Sequence, residues 1–177
     1  MVDKKYFIHL MNFLFRILPI HIFGLIFSLL PNHYFSNRVR GFFIGLFLKK
    51  CGKKFQLGRG VILNSPENIY IGNNCYISHY CYLQGKGQLV LKDNIIIGPM
   101  SILSTSKHKI VNNVPTNSSI NSPIRINCNV ITGSHVVVNS GVEIGENSII
   151  GAGSVLTKNI PSYSFAYGSP AVNRRKK

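Results

Sequence analysis

The stretch IGENSIIGAGSVLTKNIP, residues 144–161, places an aliphatic side chain at every sixth position, Ile144, Ile150 and Leu156. Glycine directly follows two of them, at Gly145 and Gly151. A helix returns a side chain to the same face after 3.6 residues and a strand after 2, so a period of six belongs to neither alone. Six residues do accommodate a short strand and a corner, with the glycine letting the chain turn. Working backward, the same register holds at Ile126, Thr132 and Val138. Before a polar interruption it holds at Ile71, Ile77 and Leu83 and, after a two-residue slip, at Leu91, Ile97 and Leu103. Of these twelve positions only Thr132 is not aliphatic. A second column, Val130, Val136, Val142, Ser148, Ser154 and Ile160, carries β-branched or small residues suited to a strand face or a tight corner. Beside it stand Asn129, His135, Gly141, Asn147, Gly153 and Asn159; asparagine and glycine tolerate the left-handed backbone that a sharp corner demands. Units of this kind cannot bury their faces alone and must stack, with backbone hydrogen bonds running between coils. The expected fold class is therefore an all-β solenoid. The turns before Ile71, around Phe55, Val61 and Ile69, read as irregular.

Residues 1–50 differ in kind. The run YFIHLMNFLFRILPIHIFGLIFSLL is rich in Phe, Leu and Ile, and is interrupted by His9, Asn12, Arg16, Pro19 and His21. It is long enough to span a bilayer, but an arginine, two histidines and a central proline are costly in lipid. Two helices broken near Pro19 and lying at an interface fit better; the alternative is that they pack on the rest of the protein or on sister subunits. Phe42 to Leu48 forms a third apolar patch, flanked by Arg38, Arg40, Lys49, Lys50, Lys53 and Lys54. The chain thus divides into an N-terminal helical, apolar and basic segment (1–50), a solenoid (51–165) with a protruding loop at about 107–123, and a basic tail (166–177).

The 177 residues carry a net charge of +15, concentrated at the ends. Residues 1–59 hold ten Lys or Arg against Asp3 alone, whereas 60–173 hold six against four acids. Basic ends suit anionic partners such as phosphates or a membrane surface. The repeat offers no interleaved basic–aromatic platform, so no nucleic-acid partner is expected. Cys51, Cys75, Cys81 and Cys128 form no CxxC pair and read as free thiols of a reducing compartment. No signal peptide is evident, and the expected location is cytoplasmic, peripheral at the inner face of the plasma membrane.

IGENSIIGAGSVLTKNIP and the closing YGSPA, Tyr167 to Ala171, resemble the hexapeptide-repeat acyltransferases. The chain is most similar to their sugar and polysaccharide O-acetyltransferases. The resemblance implies a left-handed parallel β-helix, a handedness that the spacing does not supply. It also implies a homotrimer with acetyl-CoA in the groove between neighbouring subunits, and a histidine that activates the acceptor hydroxyl. Thioester acyl transfer requires such a base, oxyanion stabilisation and positioning of the coenzyme arm. The resemblance points to His108, in ILSTSKHKI, as the base, with Ser104, Thr105 and, in ISHYCYLQG, His79 at the substrate. It implies Gly133, Ser134, Gly151 and Ala152 along the coenzyme arm; the cations expected at its phosphates are Lys158 and, in the tail, Arg174 or Arg175. His135 reads as an exposed corner residue. Zinc enzymes of the same fold use a histidine pair five residues apart; position 113 is Asn113, so no metal is expected. The expected reaction is acetyl transfer to a hydroxyl of a capsule, O-antigen or exopolysaccharide glycan or its precursor. N-acylation of an amino-sugar nucleotide is the alternative.

Overall fold

The computed structural model describes residues 4–175; the readings that touch residues 1–3, Lys176 and Lys177 lie outside the described residues. From Lys50 the chain visits three parallel faces in turn. Face A stacks Lys50–Cys51, Ile69–Ile71, Leu89–Leu91, Ile124–Ile126 and Glu143–Ile144. Face B stacks Gln56–Leu57, Tyr76–Ile77, Ile96–Ile97, Ile131–Thr132, Ile149–Ile150 and Ser164–Gly168. Face C stacks Ile62–Asn64, Tyr82–Gln84, Ile102–Ser104, Val137–Val138 and Val155–Leu156. All twelve positions of the six-residue register point inward and are buried. Thr132 is tolerated among them because its hydroxyl accepts the Gly98 amide at 3.1 Å, so its own polar atom is not left unpaired in the core.

The first coil is as regular as the rest, which corrects the sequence reading. Leu57 and Leu63 pair in register with Ile77 and Leu83. Phe55, Val61 and Ile69 belong to the second inward column, the one that holds Val130 and Val136 further on. The two-residue slip is likewise general to the early coils. Lys50 pairs with Tyr70 and Tyr70 with Val90, a coil of twenty residues; Arg125 pairs with Glu143, a coil of eighteen. The extra pair sits at the C-to-A corner, where Pro66–Asn68 forms a 3₁₀ turn. Left-handed backbone recurs at the corners as expected, at Asn129, His135, Gly141, Asn147 and Gly153 but not at Asn159. At the A-to-B corner the asparagine side chains join into a ladder, Asn74 to Asn94, Asn94 to Asn129 and Asn129 to Asn147, at 3.0, 3.0 and 3.1 Å.

The outward residues differ by face. Face B shows Tyr76, Ile96, Ile131, Ile149 and Phe165; face C shows Ile62, Tyr82, Ile102, Val137 and Val155. Face A shows Lys50, Tyr70, Val90, Arg125 and Glu143. Two faces are thus uncharged and largely apolar, with Gln56 on face B and Asn64, Gln84 and Ser104 on face C as polar members, and one carries the charge. Cys75 and Cys81 are buried in the second column, and burial pushes the Cys51 and Cys75 thiols up to about 11.

Helix α1 (Lys4–Asn12) continues through a π-helical turn, Phe13–Ile17, into α2 (Leu18–Ser28). The helix therefore does not break near Pro19, contrary to expectation. The Leu18 amide bonds back five residues to the Phe13 carbonyl, and this widened turn absorbs the proline. Helix α3 (Tyr34–Gly45) caps the first coil. Its Gly41 and Gly45 lie so close to Phe55 and Cys51 that any side chain would collide. Arg40, read from sequence as a flanking charge, is buried instead. It donates to the Asn37 side chain at 2.7 Å and to the carbonyls of Phe27, Leu30 and Pro31 at 3.2, 2.6 and 3.2 Å. It thereby satisfies the orphan carbonyls at the end of α2.

Candidate active site

The polar interruption is not a loop. Ser106–Val111 and Val114–Asn121 form an antiparallel hairpin that leaves the prism at the C-to-A corner. Asn112 and Asn113 make its turn with φ of 50° and 62°. Asn-Asn between Val111 and Val114 is a short-range hairpin signal of the primed-turn type, so the element was present in the sequence although it lacks the six-residue period.

His108 lies on the first strand of this hairpin, opposite Ser119, and is exposed. Its Nδ1 is 3.2 Å from the Thr116 carbonyl oxygen. A carbonyl can only accept, so Nδ1 carries the proton and Nε2 of the neutral ring keeps its lone pair. The arrangement is braced by Thr116, whose hydroxyl donates to the Lys109 carbonyl at 2.8 Å and meets the Ser118 hydroxyl at 2.9 Å. The ladder shifts register between His108 and Ile110, the kind of irregularity that re-aims a side chain.

The root of the hairpin is a hydrogen-bonded knot. Gln84 Oε1 accepts from the hydroxyls of Ser104 at 3.1 Å and Ser106 at 2.7 Å. Lys86 Nζ donates to the Ser119 hydroxyl at 2.7 Å, next to the His108 cross-strand position. Gln84, Lys86 and Ser106 were missed in the sequence because nothing in their local pattern announces contact with a segment some twenty to thirty residues away. Thr105 is fully buried. Its hydroxyl donates to the Gln84 carbonyl and accepts the Gly87 amide, each at 2.8 Å. Both bonding directions are taken by the fold, so Thr105 pins the hairpin root and is closed to a substrate, a correction to its assignment from the resemblance. Ser104 is half-buried.

The remaining candidates fall on two edges. His79, Gly133, Ser134, Gly151 and Ala152 line up along the B-to-C corner. His79 is half-buried, with Tyr80 edge-on at 5.6 Å between ring centroids. Gly133 is required by stacking alone: a Cβ there would come within 2.6 Å of the Ala152 amide nitrogen. A Cβ at Gly151 would come within 2.9 Å of the Tyr167 Cβ. Ser134 accepts the Gly153 amide through its carbonyl at 2.8 Å, and Ala152 is exposed. Lys158 lies on the other edge, the C-to-A corner that also bears the hairpin. Arg174 is in Ala171–Arg175, which folds back antiparallel on Ser164–Gly168 at the end of face B. Its guanidinium lies 6.0 Å from the Tyr167 ring centroid. The tail is thus a strand up to Arg175 rather than a loose basic extension. His135 is an exposed corner residue, as read. Among the described residues no group of three or more His, Cys, Asp or Glu is placed to hold a metal.

Within one protomer the two edges are separated by the whole of face C, roughly 15–20 Å at strand rise. His108 and the B-to-C corner therefore do not meet inside a single prism.

Three-sided coils of short parallel strands, interrupted by one hairpin that carries a tautomer-fixed histidine, define the class: a hexapeptide β-solenoid. The family described as "Bacterial transferase hexapeptide (six repeats)" matches residues 123–158. The chain is 42% identical over 104 residues to the galactoside O-acetyltransferase of Escherichia coli (strain K12), covering 58% of this chain and 51% of that protein. The solved structure of a galactoside acetyltransferase in complex with coenzyme A matches with TM-score 0.77 at 31% identity, over 90% of this chain and 79% of that one. A maltose O-acetyltransferase from Clostridium difficile 630 matches with TM-score 0.78 at 26% identity, over 89% and 83%. The chain spans about half the length of the curated relatives it matches. The fold is the left-handed parallel β-helix implied by the resemblance. The chain belongs to the hexapeptide-repeat transferase family.

Proposed function

We infer that this protein transfers an acetyl group from acetyl-CoA to a hydroxyl of a glycan, with His108 as general base. The observation that carries the inference is the 3.2 Å contact of His108 Nδ1 with the Thr116 carbonyl, which leaves Nε2 on an exposed ring free to take a proton. The hydroxyl gives that proton to Nε2 as its oxygen attacks the thioester carbonyl. The tetrahedral oxyanion collapses with cleavage of the carbon–sulfur bond, and the imidazolium returns the proton to the departing sulfur. The relatives named as galactoside and maltose O-acetyltransferases support a sugar hydroxyl as acceptor. We assign the acceptor to a surface polysaccharide, whether capsule, O-antigen or exopolysaccharide, or to its precursor.

The working unit in this reading is a homotrimer. The apolar outward residues of faces B and C suit contact with neighbours, and the charged face A suits solvent. A closed three-fold assembly brings the hairpin of one protomer to the B-to-C corner of the next and so joins what a single prism holds apart. Gly133, Ser134, Gly151 and Ala152 then border the coenzyme arm, Lys158 and Arg174 meet its phosphates, and His79 and Ser104 face the acceptor.

The test is His108→Ala and His108→Gln, assayed by release of free coenzyme A and by mass spectrometry of the glycan. The expected result is a kcat lowered by about 10²–10⁴-fold, with KM for acetyl-CoA nearly unchanged and the melting temperature preserved. Turnover at the wild-type rate by either variant removes the mechanism. An acetyl product stable to mild base, as an amide is and an ester is not, replaces the O-acetyl reading with transfer to an amino sugar.

A further inference from the structure

We propose that the N-terminal end of the prism is a docking surface for an anionic lipid bilayer, with the helix of α1 and α2 lying in the interface rather than crossing it. Tyr6–Ser28 is a helix of 23 residues with mean hydropathy 1.8, and none of its most apolar window is buried. Leu25 is 70% exposed and Leu29, just beyond the helix, 87%. By length and composition alone this helix is able to cross a membrane.

Its attachment to the domain decides the orientation. Phe23 stacks on Phe43 and touches Phe47, and Phe27 touches Phe43, with ring centroids 5.3–5.9 Å apart. Ile20 and Phe23 pack against the core of the prism. Arg40 holds the carbonyls of Phe27, Leu30 and Pro31, and the Asn32 side chain accepts the Arg59 amide at 3.0 Å. The π-helical turn Phe13–Ile17 lies near Pro66–Asn68. The helix is thus tied along the solenoid from Phe13 to Phe27, and the nine described residues ahead of that contact are those of α1, Lys4 to Asn12. At 1.5 Å per residue α1 reaches about 14 Å, about half of a hydrocarbon core of roughly 30 Å. A helix held this way buries its outer apolar face in the headgroup boundary.

Charge identifies the lipid. On the opposite flank of α3 a groove of about 570 Å³ is lined by Arg38, Lys49, Lys50, Lys53 and Lys54 around Phe42 and Leu46. Phe42 and Leu46 are each 66% exposed. No Asp or Glu occurs from Lys4 to Pro66; the carboxylate facing this cluster is Asp93, beside Lys50. Cations set beside exposed apolar side chains are the complement of an anionic leaflet, whose potential attracts juxtamembrane basic residues. If the trimer described above forms, its three-fold axis turns all three end surfaces the same way, so docking is multivalent.

The protein of residues 1–177 is floated with vesicles of phosphatidylglycerol and phosphatidylcholine, and with vesicles of phosphatidylcholine alone. The expected result is cofloatation with the anionic vesicles, weakened by salt. Lys49→Gln/Lys50→Gln/Lys53→Gln is expected to lower that affinity on the order of 100-fold, with the melting temperature and acetyl-CoA turnover in solution unchanged. Ile22→Gln/Leu25→Gln/Ile26→Gln is expected to abolish binding to both vesicles. Failure to float with anionic vesicles, or equal binding to both kinds, overturns the proposal. So does a wild-type protein that ignores vesicles but sediments as an assembly larger than a trimer, dispersed by the helix substitutions; that result assigns the surface to a second copy. Each outcome is independent of whether His108 is the base.

Discussion

Thr105→Val separates a structural role from a substrate role at the root of the hairpin. The substitution keeps the shape of a fully buried side chain and deletes two hydrogen bonds of 2.8 Å, one given to the Gln84 carbonyl and one taken from the Gly87 amide. An amide left without its acceptor costs about 1–3 kcal/mol, and the lost bond to the carbonyl about 1 kcal/mol more. The sum, about 2–4 kcal/mol, corresponds to a melting temperature lower by roughly 4–16 °C for a chain of this length, read at fixed protein concentration because association adds to stability. Thr105→Ser keeps the hydroxyl and is expected to recover most of the difference. Scanning calorimetry supplies the stability, and steady-state kinetics well below the transition supply KM for the glycan. That KM is expected to stay within about twofold. A Thr105→Val protein as stable as wild type but with a raised acceptor KM would refute the assignment and return Thr105 to the substrate site.

Other consequences follow from the corners and the buried thiols. Asn94 adopts φ of 59° and takes part in two rungs of the asparagine ladder; Asn94→Ala is expected to cost about 1–2 kcal/mol and Asn94→Gly less, checked by denaturant melts. Cys51 and Cys75 are held at about 11 in the folded chain against an ordinary 9.0. Because folding opposes their ionisation, the stability linked to them is whole below pH 9 and drains away as pH rises toward 11. Cys51→Ala/Cys75→Ala should flatten the difference in that window, and an identical pH profile for wild type and variant would contradict it.

The solenoid could be read from residues because its signal is repeated and local. Ile144, Ile150 and Leu156 face the core for the same reason as Ile71 and Ile77, and each coil restates the rule. The first coil was misread because Phe55, Val61 and Ile69 are as large and apolar as the true register at Leu57, Leu63 and Ile71, so two inward columns competed. The helix around Pro19 was misread because proline usually breaks an α-helix, and a π-turn that absorbs it leaves no compositional trace. Arg40 counted as surface charge until its carbonyl partners, nine to thirteen residues earlier in the chain, were placed around it. At the candidate site, the resemblance singles out His108, which the structure places on the first strand of the interrupting hairpin. The knot of Gln84, Lys86, Ser104 and Ser106 was not legible, because it exists only once coils stack. Nor could sequence show that His108 and the Gly133–Ala152 corner occupy opposite edges of face C, since edges are defined by the coil and not by the repeat.

The most direct measurement is complementation between two inactive proteins, His108→Ala and Ala152→Trp, the second filling the corner where the coenzyme arm is expected. Unfolded together and reassembled, protomers would enter the proposed trimer at random, and a site in it would need a hairpin from one kind beside a corner from the other. Shared sites predict recovery of acetyl-CoA turnover to about one quarter of wild type, the chance that a given boundary pairs the two intact halves. Activity that stays at the level of the separate variants, in reassembled trimers of verified composition, would contradict a catalytic centre built across the subunit boundary.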